Sequence, residues 1–199
     1  DVLLGDLHNG GYDPMIYAAD GTRYSDAIVV SIDSASFNST TSVLTAAITV
    51  TEPIDVDGIS AGDVVPDVRV VLYPYESKDV YNYVSGDEVD HGSGSWTVTT
   101  DLSTYAADIG EDAMFRRVGI IVRPEATVVI DGEETDVAPI APSRTFDLAA
   151  NDFDDGFIED IVDVAKCNDC HDALATTFHS PNRSGNIQVC KMCHNPTRA

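Results

Sequence analysis

The four cysteines of this 199-residue chain fall into two pairs of identical spacing, Cys167-Asn168-Asp169-Cys170 and Cys190-Lys191-Met192-Cys193. A histidine follows each pair directly, His171 and His194. Two thiols at this spacing add to the two vinyl groups along one porphyrin edge. The adjacent imidazole is then carried over the ring face to the iron, which is why Cys-x-x-Cys-His is the attachment sequence of haem c. With five His in the chain, random placement puts His after both pairs with a probability of roughly one in a thousand or less. The motifs therefore predict two covalently bound haem c groups. Cys167, Cys170, Cys190 and Cys193 form the thioethers, and His171 and His194 are the proximal iron ligands.

Three other chemistries use paired cysteines. The separation of Cys170 from Cys190 lies inside the window for a four-Cys zinc site, but that site gives no role to the histidines. Two disulfides would suit an exported protein, yet each closes a tiny ring that gives little stabilisation. An iron–sulfur cluster needs four Cys and again leaves the histidines unexplained.

Two six-coordinate haems also need distal ligands. His179, between the motifs, is near enough in sequence to swing over either ring. His8 is the candidate for the remaining position, since the glycines of His8-Asn9-Gly10-Gly11 let the backbone approach a flat ring closely. His91, before Gly92 in a turn, is the runner-up. Met15 and Met114 are weaker options, and Met ligation would raise the potential relative to bis-His. His8 is able to serve its own haem or that of a neighbouring copy. In the second case the contact is heterologous, and such contacts build rings or open filaments. Four of the 11 basic residues, Lys166, Arg183, Lys191 and Arg198, lie near the motifs. They are candidate partners for haem propionates, or ordinary surface charge.

The elements that must position these groups divide the chain in three. Residues 1–25 are Gly-rich and polar and read as an N-terminal arm. Residues 26–150 read as strand after strand: Ala27–Ile32, Ile48 and Val50 alternating with Thr49 and Thr51, Val68–Tyr73, Ser95–Thr100, Arg117–Val122 and Thr127–Ile130. Turn signals such as Asp57-Gly58, Ser85-Gly86-Asp87 and Asp131-Gly132 separate them. This spacing predicts a mainly β fold, an antiparallel Greek-key sandwich or barrel, with the lone Trp96 in its core. Residues 151–199 form a small loop-rich haem-binding segment. Phe157–Val162 at its start reads as a last strand or a short helix. The segment is too short to build an apolar core from its own side chains, so the porphyrins must organise it.

The net charge of −23, from 34 acidic and 11 basic residues, argues against nucleic-acid binding, which needs a basic face. It also disfavours an anionic membrane surface. It reads as a solvated acidic surface that keeps the chain soluble, or as adaptation to high salt, which screens such self-repulsion. No apolar run approaches the roughly 18–20 residues of a membrane span. Thioether formation takes place outside the cytoplasm, so the chain is expected to be exported, with a signal peptide removed before Asp1. The acidic loop with Asp152, Asp154 and Asp155 fails the EF-hand template. Asn38-Ser39-Thr40 and Asn182-Arg183-Ser184 are glycosylation sequons. No Ser-His-Asp order or phosphate loop stands out.

Arg117-Val118-Gly119-Ile120, then Lys166 through Asp172, Leu174, His179 and Cys190-Lys191-Met192-Cys193-His194-Asn195-Pro196 resemble the outer-membrane multihaem cytochromes of metal-reducing bacteria, the OmcA/MtrC type. The resemblance covers residues 95–199 well and the earlier strands only in character. It implies a Greek-key β domain ahead of a haem domain, a histidine between the first two haem motifs, and electron transfer to minerals or partner cytochromes. The departure is that such relatives carry about ten haems, whereas this sequence holds two motifs; it reads as the front end of such a protein or as a short two-haem form. The resulting expectation is an extracellular dihaem electron carrier, polymerised into a conductive filament if the ligand is shared between copies. A haem enzyme with one open iron position, a peroxidase or small-molecule reductase, is the alternative. A zinc-organised structural or adhesion module is a further one.

Overall fold

The structure, a computed structural model, describes residues 13–51, 54, 56–74, 77–158, 163, 164, 166, 181–183 and 185–194. Its frame is two antiparallel sheets. Strands β1 (Val30–Asn38) and β2 (Val43–Val50) form a hairpin, continued by β6 (Ser95–Asp101) and β5 (Asp87–Asp90) in the order β1-β2-β6-β5. The second sheet runs β11 (Asp152–Phe153), β10 (Ser143–Asp147), β7 (Phe115–Glu125), β3 (Val65–Pro74), β4 (Asn82–Ser85). A separate hairpin joins β8 (Thr127–Ile130) to β9 (Glu133–Asp136). Its two-residue turn is the Asp131-Gly132 pair, with φ of 52° and 86°. Positive φ at both central residues is what a type I′ turn demands and what Asp-Gly supplies. The fold is mainly antiparallel β, as the strand pattern predicts.

Alternation explains the first sheet. Along β2, Leu44, Ala46, Ile48 and Val50 are buried and the residues between them are partly exposed. Along β6, Trp96, Val98 and Thr100 are buried in the same way. Register pairs Ile48 with Trp96 and Ala46 with Val98, so one face is apolar and turns inward. Opposite lie Val68, Val70 and Leu72 of β3, Val118, Ile120 and Val122 of β7, and Phe146 of β10, all in one buried cluster with Trp96. The chain passes between sheets at Gly86, the single residue between β4 and β5. A Cβ there would overlap the Val98 side chain, so only glycine lets the backbone turn this corner.

The second sheet does not alternate. Val118–Val122 is buried throughout, with Ile120 and Ile121 both 0% exposed. Successive side chains point to opposite faces, so both faces of β7 are covered. The inner face meets the other sheet. The outer face carries a second apolar cluster, in which Val71 and Tyr73 of β3 and Ile121 of β7 pack with Ala141, Val189 and Met192. Phe157, partly buried, packs against it, its ring 6.2 Å from that of Tyr73. Residues 187–193 and Phe157 therefore pack on the outer face of the five-stranded sheet. Phe157 and Ile158 are in a bend rather than a strand or helix; residues 159–162 lie outside the described set.

The N-terminal lead-in is tied to this body from residue 13 on. Tyr24 is fully buried in the main core, and its hydroxyl donates to Asp57 Oδ2 at 2.5 Å. Ala138 N–H donates to Met15 O at 2.8 Å. Within the N-terminal arm expected over residues 1–25, Ile16, Ala18 and Tyr24 bury apolar surface, which the polar, Gly-rich sequence around them hid.

Asp147, at the end of β10, is a buried carboxylate that shapes the turn after it. It accepts from the N–H groups of Ala149 and Ala150 at 3.0 and 2.9 Å and from Arg116 Nε at 2.7 Å. Burial alone would raise its carboxyl. The Ala150 amide, Arg116 and the Ala149 amide outweigh that and hold it below the usual carboxylate value. A depressed folded value stabilises the native state above the unfolded value and loses that contribution as pH falls through the folded one. Asp147→Asn is thus expected to cost about 2 kcal/mol at neutral pH. Urea unfolding should show that gap closing as pH falls below 3.8.

Candidate haem site

The second cysteine motif sits on a short helix, Ile187–Cys193. Asn186 starts it, its Oδ1 accepting from Gln188 N–H at 2.8 Å, a standard N-cap bond. The same side chain fixes the helix to the body, Nδ2 donating to Ala141 O at 2.6 Å. Val189 and Met192 are buried against the outer face of the sheet. Cys190 and Cys193 are three positions apart and so share one side of the helical turn. Both thiols are free. Cys190 is half-buried, and burial pushes its thiol above the ordinary value. His194 is the first residue past the helix. Its N–H still bonds Cys190 O at 2.9 Å, while its φ and ψ of −95° and 67° have left the helical range. The local geometry thus sets two thiols side by side and an exposed imidazole next to them.

These three side chains line a cavity of about 340 Å³, together with Arg69, Tyr83, Ser85 and Arg123 from the sheet and Arg183. Strand periodicity puts the sheet residues there. Arg69 shares its face with Val71 and Tyr73, and Arg123 shares its face with Ile121, which is the outer face. Arg69 lies across from Ser85, and Val71 from Tyr83. Asp67 lies across from Arg123, and its carboxylate pairs with both Arg123 and Arg69. The Nε–H groups of Arg123 and Arg183 are buried and have no hydrogen-bond partner among the described residues. Burial, and next the charge of Arg183, push the Arg123 pKa down from its usual value. A guanidinium nevertheless keeps its proton in a protein, so the cavity wall is cationic.

Paired thiols, an adjacent imidazole and unmatched cationic donors fit a haem c group. Cys190 and Cys193 would hold the porphyrin edge and His194 the iron, with the arginines beside them.

Of the other residues singled out from sequence, Arg183 lines this cavity, whereas Lys191 turns away and donates to Lys78 O at 2.8 Å. Lys166 is 80% exposed, 3.7 Å from Asp163. His91 is exposed at the turn between β5 and β6, its Nε2 2.9 Å from Thr97 Oγ1. Thr97 alternates with the core residues Trp96 and Val98, so this histidine belongs to the outer face of the opposite sheet. The structure does not bring it to Cys193 and His194. Cys167, Cys170, His171, His179, His8 and Arg198 lie outside the described residues. Sequence reading missed Arg69, Arg123 and Asp67. The available signal was a charged residue inside each apolar strand, Val68-Arg69-Val70 and Val122-Arg123.

No protein-family model matches the chain, and no curated protein does. Solved structures match it. The crystal structure of MtrC from Shewanella baltica OS185 superposes on 86% of this chain with a TM-score of 0.57 and 17% identity. The crystal structure of the outer membrane decaheme cytochrome OmcA superposes on 86% with a TM-score of 0.52 and 14% identity. This chain shares the fold of part of MtrC and of OmcA. At these identities the likeness is one of fold. The chain spans about 30% of the length of MtrC and of OmcA. Among the described residues, no helix is long and apolar enough to cross a membrane.

Proposed function

We propose that this chain is an extracellular c-type cytochrome module that relays electrons between two haems. One is carried by Cys167, Cys170 and His171 and the other by Cys190, Cys193 and His194. The observation that carries the reading is the second motif's setting, two free thiols and an imidazole beside buried arginine donors without partners. The repeated motif and the fold shared with OmcA, described as an outer membrane decaheme cytochrome, support it. A bound haem c supplies reversible one-electron chemistry at iron. The protein's part is to fix the ring edge through the cysteines, hold the iron through His194, and bury one side of the site with Val189 and Met192.

His179 is assigned as one distal ligand and His8 as the other, from its own chain or a neighbour's. His91, on the outer face of the other sheet and away from Cys193 and His194, remains the runner-up for that position. A ligand shared between copies would join haems head to tail and extend the chain into a filament. Partners are then further copies, other cytochromes or extracellular electron acceptors. The competing reading is a haem enzyme with a displaceable ligand. Electron paramagnetic resonance of the oxidised protein and carbon monoxide titration of the reduced one decide between them. Low-spin signals from both haems with no carbon monoxide shift are expected. A high-spin signal with carbon monoxide binding at one haem would favour the enzyme, and no haem absorption at all would end both readings.

A further inference from the structure

We infer that Arg69 and Arg123, two residues of the β-sandwich itself, anchor the propionates of the haem on Cys190 and Cys193, with Asp67 between them setting their spacing. The inference rests on the haem reading above and deepens it, because it makes the sheet face an electrostatic part of the site and not only a support.

Charge carries the argument. Arg69, Arg123 and Arg183 meet at one cavity wall, with side chains of Arg69 and Arg123 only 20% and 12% exposed. Asp67 pairs with both strand arginines and balances one of the three cations. Glu125, the other carboxylate felt by Arg123, accepts from Asn182 Nδ2 at 2.8 Å and lies on the exposed end of β7. Gathering like charges away from water is costly without a matching anion. Nε–H groups of Arg123 and Arg183, buried and unpaired, carry that cost openly. A porphyrin presents two carboxylates on the edge remote from its thioether attachments, and guanidinium–carboxylate pairing is the strong, directional contact that answers it. Two propionates match the two cations that Asp67 leaves over.

Removing a positive charge beside the ring favours ferric over ferrous iron, so the haem potential falls; removing the neighbouring negative charge does the reverse. The test is a spectroelectrochemical titration of the purified haem-loaded protein and of Arg69→Gln, Arg123→Gln, Arg123→Lys and Asp67→Asn, with haem content measured on each. Both Gln variants should keep their haems and lower one of the two midpoint potentials while leaving the other in place. Arg123→Lys should recover most of the shift. Asp67→Asn should raise the same potential, and it carries the test if an arginine variant fails to fold. Haem retained with both potentials unmoved in the Gln variants, or a potential that is unchanged or lowered in Asp67→Asn, overturns the inference and leaves the haem reading standing. Protein purified without covalent haem fails the haem reading itself.

Discussion

Replacing Cys190 and Cys193 together by serine is expected to halve the covalent haem content, from two groups per polypeptide to one. Serine hydroxyls do not add to haem vinyl groups, and His194 alone, exposed just past the helix end, offers a single bond without the geometry the thiols impose. The remaining haem should be the one on Cys167, Cys170 and His171. The sandwich should survive, because its main core is built between the two sheets from residues such as Ile48, Trp96, Val118 and Phe146. Far-ultraviolet circular dichroism is then expected to stay strand-like while the haemochrome absorbance per protein falls by half. The arginine wall of Arg69, Arg123 and Arg183 would be left with Asp67 alone to balance it. Unchanged haem content in the double variant would sink the assignment of this motif.

The second large effect separates two neighbours. Ile120 and Ile121 are adjacent and equally buried, yet they belong to different clusters, Ile120 between the sheets and Ile121 beneath the C-terminal helix. Truncating either to Ala removes a fully buried side chain, at a cost of about 2–5 kcal/mol. The consequences should differ in place. Ile120→Ala weakens the sandwich as a whole. Ile121→Ala weakens the seat of Val189 and Met192, so the helix opens locally at less than the global cost. Hydrogen exchange read by peptide should show faster exchange across β2, β6 and β7 in the first variant. In the second, the increase should be concentrated in residues 187–194. Identical exchange patterns in both variants would mean that the outer cluster is not a separable unit.

Much of this was legible in the chain. The two motifs need only local spacing, and the helical turn at Cys190–Cys193 reproduces it. Strands with strict alternation, β2 and β6, and the Asp131-Gly132 turn are encoded by neighbours in sequence, and Trp96 falls in the core where its strand pattern put it. What was not legible depends on register. Asp67 stands two residues before Arg69 in the sequence, but nothing within a few residues of Arg123 shows that Asp67 will face it across the sheet. The apolar run Val118–Val122 is readable in the sequence, but what covers its outer face is not. The anchoring of Tyr24 through Asp57 is likewise a long-range contact. In the same way, Lys191, inside the second motif, faces Lys78, whereas Arg183, farther from it in sequence, lines the cavity.

The claim on which the rest depends is that both cysteine pairs carry haem. Intact-mass spectrometry of the native protein after denaturation measures it directly. The expected mass is the polypeptide plus two haems that survive unfolding, since thioether bonds do not dissociate. A bare polypeptide mass, whether short of four hydrogens from two disulfides or found with zinc only under native conditions, would contradict it.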